Sequence, residues 1–99
     1  MPEFIYFVRP TRPTFPGDGT PEEFAVIQEH MAFLHEKLAE GSLILVGRTQ
    51  DESPVGICIF EADDLDRATA FAQSDPAVAN GIFVPEVRPY GVFLMRGRN

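Results

Sequence analysis

This chain is poor in the residues that announce the commonest chemistries. It has one cysteine and no tryptophan. A single cysteine excludes an internal disulfide and any multi-thiolate metal site. Cys58 sits in the apolar run VGICIF, so it reads as a buried, inert thiol rather than a nucleophile. Cations are scarce as well: eight Lys and Arg stand against fifteen Asp and Glu, a formal charge of −7. That charge repels phosphate backbones and no basic patch offsets it, so no nucleic-acid partner is expected. No apolar run approaches the ~20 residues of a membrane span, so no membrane is expected either. The start, MPEFIYFVRP, has no basic region and no small-residue cleavage site, which reads as cytoplasmic. The one glycine-dense piece, GDG, lacks the flanking strand of a phosphate-binding loop.

What remains is an ordinary apolar fraction of 44% in 99 residues, enough for one domain over 1–99 and too little length for two. Phe4–Val8 (FIYFV) reads as a strand. The following RPTRPTFPGDGTP is too rich in proline and glycine for regular structure, and loops of this length are often lids or interface arms. Thr20-Pro21-Glu22-Glu23 starts a helix, with Thr20 as cap, Pro21 at the first helical position and Glu23 closing a capping box. Phe24, Ile27, Met31, Leu34 and Leu38 then form one apolar stripe, and Gly41 ends the helix.

Ser42–Val46 and Val55–Glu61 read as a hairpin across TQDESP. Asp63 or Asp64 caps a second helix, Leu65–Gln73, with Leu65, Ala68, Phe71 and Ala72 inward. Ser74-Asp75-Pro76 breaks it, and Ala77–Asn80 makes one further turn before Gly81. Val87–Met95 reads as a last strand, with Pro89 marking an edge or a bulge, and the tail RGRN as loose. The order β-α-β-β-α-β predicts an α+β, ferredoxin-like fold: a four-stranded antiparallel sheet with both helices on one face.

The strands do not alternate apolar with polar, as a half-solvated sheet would. Ile5 and Phe7 oppose Phe4, Tyr6 and Val8; Leu43 and Leu45 oppose Ile44 and Val46; Ile57 and Ile59 oppose Cys58 and Phe60. Two helices cover one face only. A second copy packed sheet to sheet would cover the other, making a homodimer and a dimeric α/β barrel.

The chain has two histidines, both on the first helix. His30 lies about 80° from the centre of the apolar stripe on one side and His35 about 60° on the other. Five residues apart, they cannot share one metal ion as an i, i+4 pair does, and no other ligand set is visible, so no metal site is expected. His35 reads as surface or packing. His30, flanked by Val26 and Phe33, is either a boundary residue or a general acid–base, with Asp75 as the carboxylate that would orient it. Asp75 reads equally well as a helix-terminal turn residue before proline. Arg9 and Arg48, each at a strand end, are candidates to hold a substrate oxyanion, and Phe15 in the proline-rich loop to close over the site.

The stretches EHMAFLHEKLAEGSLILVGRT, GICIFEADDLDRATAFAQSDPAVANGIF and VRPYGVFL resemble the YciI-related (YCII domain) proteins of the dimeric α/β barrel superfamily. The most specific elements are the helix histidine followed by FL and a glycine-led strand, and the alanine-rich helix ending in Asp-Pro. The resemblance implies the fold and homodimer argued above, and a site pairing His30 with Asp75. Three positions depart from common family patterns: Ile27 where an arginine is frequent, Arg48 where a proline follows the glycine, and Ala77 where an aromatic follows Asp-Pro.

The resemblance also implies a cofactor-free lyase removing HCl from a chlorinated, hydroxylated aromatic, with muconolactone-type isomerases and cofactor-free oxygenases as wider relatives. The expected function is therefore cofactor-independent proton transfer on a small aromatic or enolisable substrate. The alternative is a non-catalytic dimeric module that binds a small ligand or assists another enzyme.

Overall fold

A strand whose alternate residues are all apolar has two faces to bury. In β1 (Glu3–Pro10), Phe4, Tyr6 and Val8 join the main core, while Ile5 and Phe7 point to the opposite face. The computed structural model describes residues 1–97. It continues with α1 (Pro21–Glu40), β2 (Leu43–Arg48), β3 (Gly56–Glu61), α2 (Leu65–Ser74), α3 (Pro76–Ala79) and β4 (Phe83–Tyr90). The strands form one antiparallel sheet in the order β2-β3-β1-β4. This is the α+β, ferredoxin-like βαββαβ arrangement, with one short extra helix. Among the described residues no helix is long and apolar enough to cross a membrane.

Local chemistry explains where α1 begins and ends. The Thr20 hydroxyl accepts from Glu23 N at 3.1 Å and the Glu23 carboxylate accepts from Thr20 N at 2.9 Å, which satisfies two orphan donors of the first turn. Gly41 closes the helix at φ 93°, a left-handed conformation that suits glycine. Asp64 caps α2 by accepting from Arg67 N, and Ala68 and Ala72 are fully buried, so α2 lies close against the sheet. Phe71 from α2 stacks on Phe60 of β3 at 4.3 Å.

Four details differ from the sequence reading. First, α1 is rotated. Its buried residues are His30 and Leu34, whereas Phe24, Met31 and Leu38 are exposed. The buried face is centred on His30 because Asp75, at the start of α3, holds it there. Second, β2 carries a bulge. Leu43 pairs with Phe60 but Leu45 with Ile59, so Ile44 is an extra residue. Leu43 and Leu45 therefore fall on opposite faces, and Val46 and Arg48 turn to the helix side.

Third, the last strand is Phe83–Tyr90 rather than Val87–Met95. Its two prolines, Pro85 and Pro89, pair with Val8 and Phe4, positions of one parity on an edge strand. Their missing N–H groups fall on the outward side, so the ladder to β1 survives. Beyond it, Phe93 and Leu94 are 94% and 95% exposed, while Val92 N donates to Glu3 Oε1. Fourth, Leu65 is exposed rather than inward. Of the tail expected to be loose, Arg98 and Asn99 lie outside the described residues.

The helices cover the face carrying Phe4, Tyr6 and Val8. On the other face, Ile5, Phe7, Ile57, Ile59 and Leu45 form an apolar centre. Along β4 that centre is edged by charge, where Glu86 pairs with both Arg9 and Arg88.

Candidate active site

The site is assembled by three elements that meet at one carboxylate. Asp75 ends α2 and caps α3, where its Oδ1 accepts from Ala77 N at 3.0 Å. Pro76 then occupies the first position of α3, where a missing N–H costs nothing. From α1, His30 Nδ1 reaches the same Oδ1 at 2.7 Å. From β1, the Tyr6 hydroxyl donates to Oδ2 at 2.9 Å. Asp75 is 0% exposed and His30 9%.

A carboxylate so far from water is tolerable only if its oxygens are well satisfied. Ala77 N–H and Tyr6 O–H are donors, so the arrangement is that of an ionised carboxylate accepting on both oxygens. It follows that His30 donates through Nδ1–H. In the neutral ring this leaves Nε2 with the lone pair and available for chemistry. Burial pushes the Tyr6 phenol far above its ordinary value, and the nearby Cys58 and Asp75 add to the rise. Burial likewise pushes the Cys58 thiol up to about 12, with Asp75 adding to it, so Cys58 stays a thiol at neutral pH.

His30 lines a cavity of about 510 Å³ between α1, the proline-rich loop and the β2–β3 hairpin. Its other walls are chiefly apolar: Phe15, Phe24, Met31, Leu34, Val46 and Phe83 among them. Phe83 meets the imidazole edge-on at 5.5 Å, and Phe15 packs against both Phe24 and Phe83. The polar exceptions at the wall are few, notably Arg48 and Gln50 in addition to His30. The bulge at Ile44 is what brings Arg48 to this side, since strict alternation from Leu43 would send it to the other face.

Of the residues singled out in the sequence, His30, Asp75, Arg48 and Phe15 are gathered here, Asp75 behind the imidazole and the others at the cavity wall. Arg9 is not among them. It lies on the opposite sheet face, 3.7 Å from Glu86 and mostly exposed. His35 is exposed, away from the pair. Sequence reasoning passed over Tyr6 and Phe83. A signal existed for Tyr6: its hydroxyl falls among Phe4 and Val8 on the core-facing parity of β1, and a buried tyrosine hydroxyl needs a partner.

The loop that carries Phe15 is tied down by one cation. Arg12 donates to Glu23 through both terminal nitrogens, at 2.9 and 3.0 Å, and to Asp18 through Nε at 2.9 Å. The Arg12 hydrogen bonds hold Glu23 down to about 2, against an ordinary 4.5. A carboxylate lowered in the folded state stabilises it above the unfolded value, and that contribution is lost as pH falls through the folded one. The loop is therefore expected to loosen as pH drops from 4.5 towards about 2. Amide resonances of Phe15 and Gly19, followed through an acid titration, check this; a transition centred at the ordinary glutamate value would count against the latch.

Comparison with known proteins places the architecture. The chain is similar in fold to 5-chloro-2-hydroxyhydroquinone dehydrochlorinase (TftG) from Burkholderia phenoliruptrix AC1100, solved with 2,5-dihydroxybenzoquinone. The two are 20% identical over 89% of this chain and 93% of that one, with a TM-score of 0.59. It is also similar to a mutant of SnoaB, a cofactor-independent oxygenase from Streptomyces nogalater, at 14% identity over 99% of this chain and 100% of that one, TM-score 0.50. At these identities the likeness establishes the shared fold. No curated protein matches the sequence. The pattern of the YCII-related domain matches residues 6–93, nearly the whole chain, and the protein belongs to that family.

Proposed function

We propose that this protein is a cofactor-independent enzyme that moves a proton on a small aromatic or enolisable substrate, with His30 as the acid–base and Asp75 as its orienting carboxylate. The observation that carries this reading is the fixed imidazole: Nδ1–H is committed to a buried Asp75, and the ring lines an apolar cavity. In such a cavity Nε2 would abstract a proton from an acidic O–H or C–H and return it elsewhere on the same molecule. Asp75 would stabilise the imidazolium formed in between. The similar dehydrochlorinase supports one specific course. His30 Nε2 would take the proton of one hydroxyl and deliver it to the chlorinated ring carbon. Chloride would then leave as a second hydroxyl loses its proton, for a net loss of HCl.

Arg48 fits the role of anion holder. It stands at the cavity wall and makes no ion pair among the described residues, in a chain otherwise rich in carboxylates. The dianion of 2,5-dihydroxybenzoquinone is a suitable probe. Arg48→Ala is expected to weaken its binding about tenfold, the worth of one charge-assisted hydrogen bond, and to leave the fold unchanged. Calorimetry on both proteins measures this, and equal affinities would remove Arg48 from the site.

We infer further that two chains pair through the sheet faces opposite the helices. The support is the apolar centre formed by Ile5, Phe7, Ile57, Ile59 and Leu45. Sedimentation equilibrium is expected to give twice the 11.0 kDa of one chain. A folded particle of 11.0 kDa at all concentrations would contradict the pairing.

The test of the catalytic reading is a screen of catechols, lactones and chloroaromatics against the protein and its His30→Gln variant. Turnover that the variant retains in full would end it.

A further inference from the structure

We propose that Tyr6 is a positioning residue for the site: its hydroxyl locks the Asp75 carboxylate, and through it the ring of His30. The inference rests on the proton-transfer reading above and adds a third member to the pair.

A turn of the carboxylate about its Cβ–Cγ bond moves both oxygens together and breaks the two contacts at Oδ1, from His30 Nδ1 and Ala77 N. The Tyr6 hydroxyl at Oδ2 adds a third bond that the same turn must break, so it deepens the hold on the carboxylate and on the ring bonded to it. Tyr6 can hold it because the residue is itself immobile. It is 0% exposed, and its ring packs edge-on against Phe60 at 5.5 Å and tilted against Phe71 at 6.2 Å. It comes from β1 in the middle of the sheet, with β3 on one side and β4 on the other. The cavity wall includes His30 but not Tyr6, so Tyr6 acts through Asp75 and has no contact with a bound molecule. Its proton stays in place: burial first, then Cys58 beside it and Asp75 in front, disfavour a phenolate. It is therefore a permanent donor to Oδ2.

Tyr6→Phe isolates this role, because it keeps the packed ring and removes only the hydroxyl. The readout is the His30 Nδ1 proton in histidine-labelled protein, seen by NMR as a resolved downfield signal whose exchange with water requires the bond to Asp75 to open. In the unaltered protein that proton is expected to exchange slowly. In Tyr6→Phe it is expected to exchange about tenfold faster or more, since losing one hydrogen bond to a charged group raises the open population by that factor. A purely structural role would lower the melting temperature and leave the His30 proton exchanging within twofold of the original; that result overturns the proposal.

Should the variant not fold, the unaltered protein still decides. The Tyr6 hydroxyl proton is expected to exchange far more slowly than that of the exposed Tyr90. Equal exchange would overturn the proposal as surely. None of these measurements needs a substrate. Full turnover by His30→Gln would end the proton-transfer reading without moving the exchange rates, so the two failures are distinguishable.

Discussion

Replacing His30 with glutamine is expected to leave a folded protein whose turnover of any active compound falls by about 10²–10⁴-fold, the usual share of a positioned general acid–base. Glutamine is the informative choice. Its amide can still donate to Asp75, so the buried carboxylate keeps a donor where His30 Nδ1 now stands. What it lacks is a group that accepts and releases a proton near neutral pH. The decrease is expected in kcat, with KM changing little, because the apolar walls that hold the substrate are untouched. Steady-state kinetics on the first compound turned over, with circular dichroism to confirm the fold, measures both. A loss confined to KM would make His30 a binding residue and not a proton carrier.

Removing the carboxylate is expected to be costly in a different way. Asp75→Ala strands three donors in a site closed to water: His30 Nδ1–H, Ala77 N–H and Tyr6 O–H. Each buried donor left unsatisfied costs about 1–3 kcal/mol, so the three together remove a large part of the stability of a domain this small. The bond to Ala77 N is also the N-cap of α3, so the same substitution uncaps that helix, while the backbone bond from Asp75 N to Ala72 O that ends α2 survives. Asp75→Asn keeps an acceptor oxygen for two of the donors and is expected to cost about half as much. Urea denaturation of the three proteins gives the comparison. A loss below about 1 kcal/mol for Asp75→Ala would show that water or a rearranged side chain satisfies those donors. Asp75 would then not be the anchor of the site.

Much of this architecture was legible before any coordinates. The capping box at Thr20 and Glu23, the glycine stop at Gly41 and the break at Asp75-Pro76 are local devices, and local devices are read from short stretches of sequence. The misreadings have one common cause, which is that they depend on partners distant in the chain. The periodicity of α1 pointed to Phe24, Met31 and Leu38 as inward. The helix is instead turned so that His30 meets Asp75, forty-five residues away, and part of the apolar stripe lines a cavity. Strict alternation in β2 hid the extra residue at Ile44, which sets the direction of Arg48. The last strand reads as Val87–Met95 with Pro89 marking an edge or a bulge; the edge position is right, but pairing with β1 sets the strand at Phe83–Tyr90. Arg9 and Arg48 looked alike as strand-end cations; pairing parity puts one against Glu86 and the other beside the cavity. Tyr6 is legible as a core-facing hydroxyl in need of a partner, but nothing local tells which polar group, sixty-nine positions away, supplies it.

The claim beneath all of this is that the nitrogen His30 turns to the cavity carries protons to and from a bound molecule. Deuterium exchange reports on that event without requiring a completed reaction. Polyhydroxybenzenes and cyclic 1,3-diketones, which carry acidic carbon-bound protons, would be incubated in heavy water and followed by NMR. Exchange that the protein accelerates and His30→Gln does not is the predicted result; equal acceleration by both proteins would contradict it.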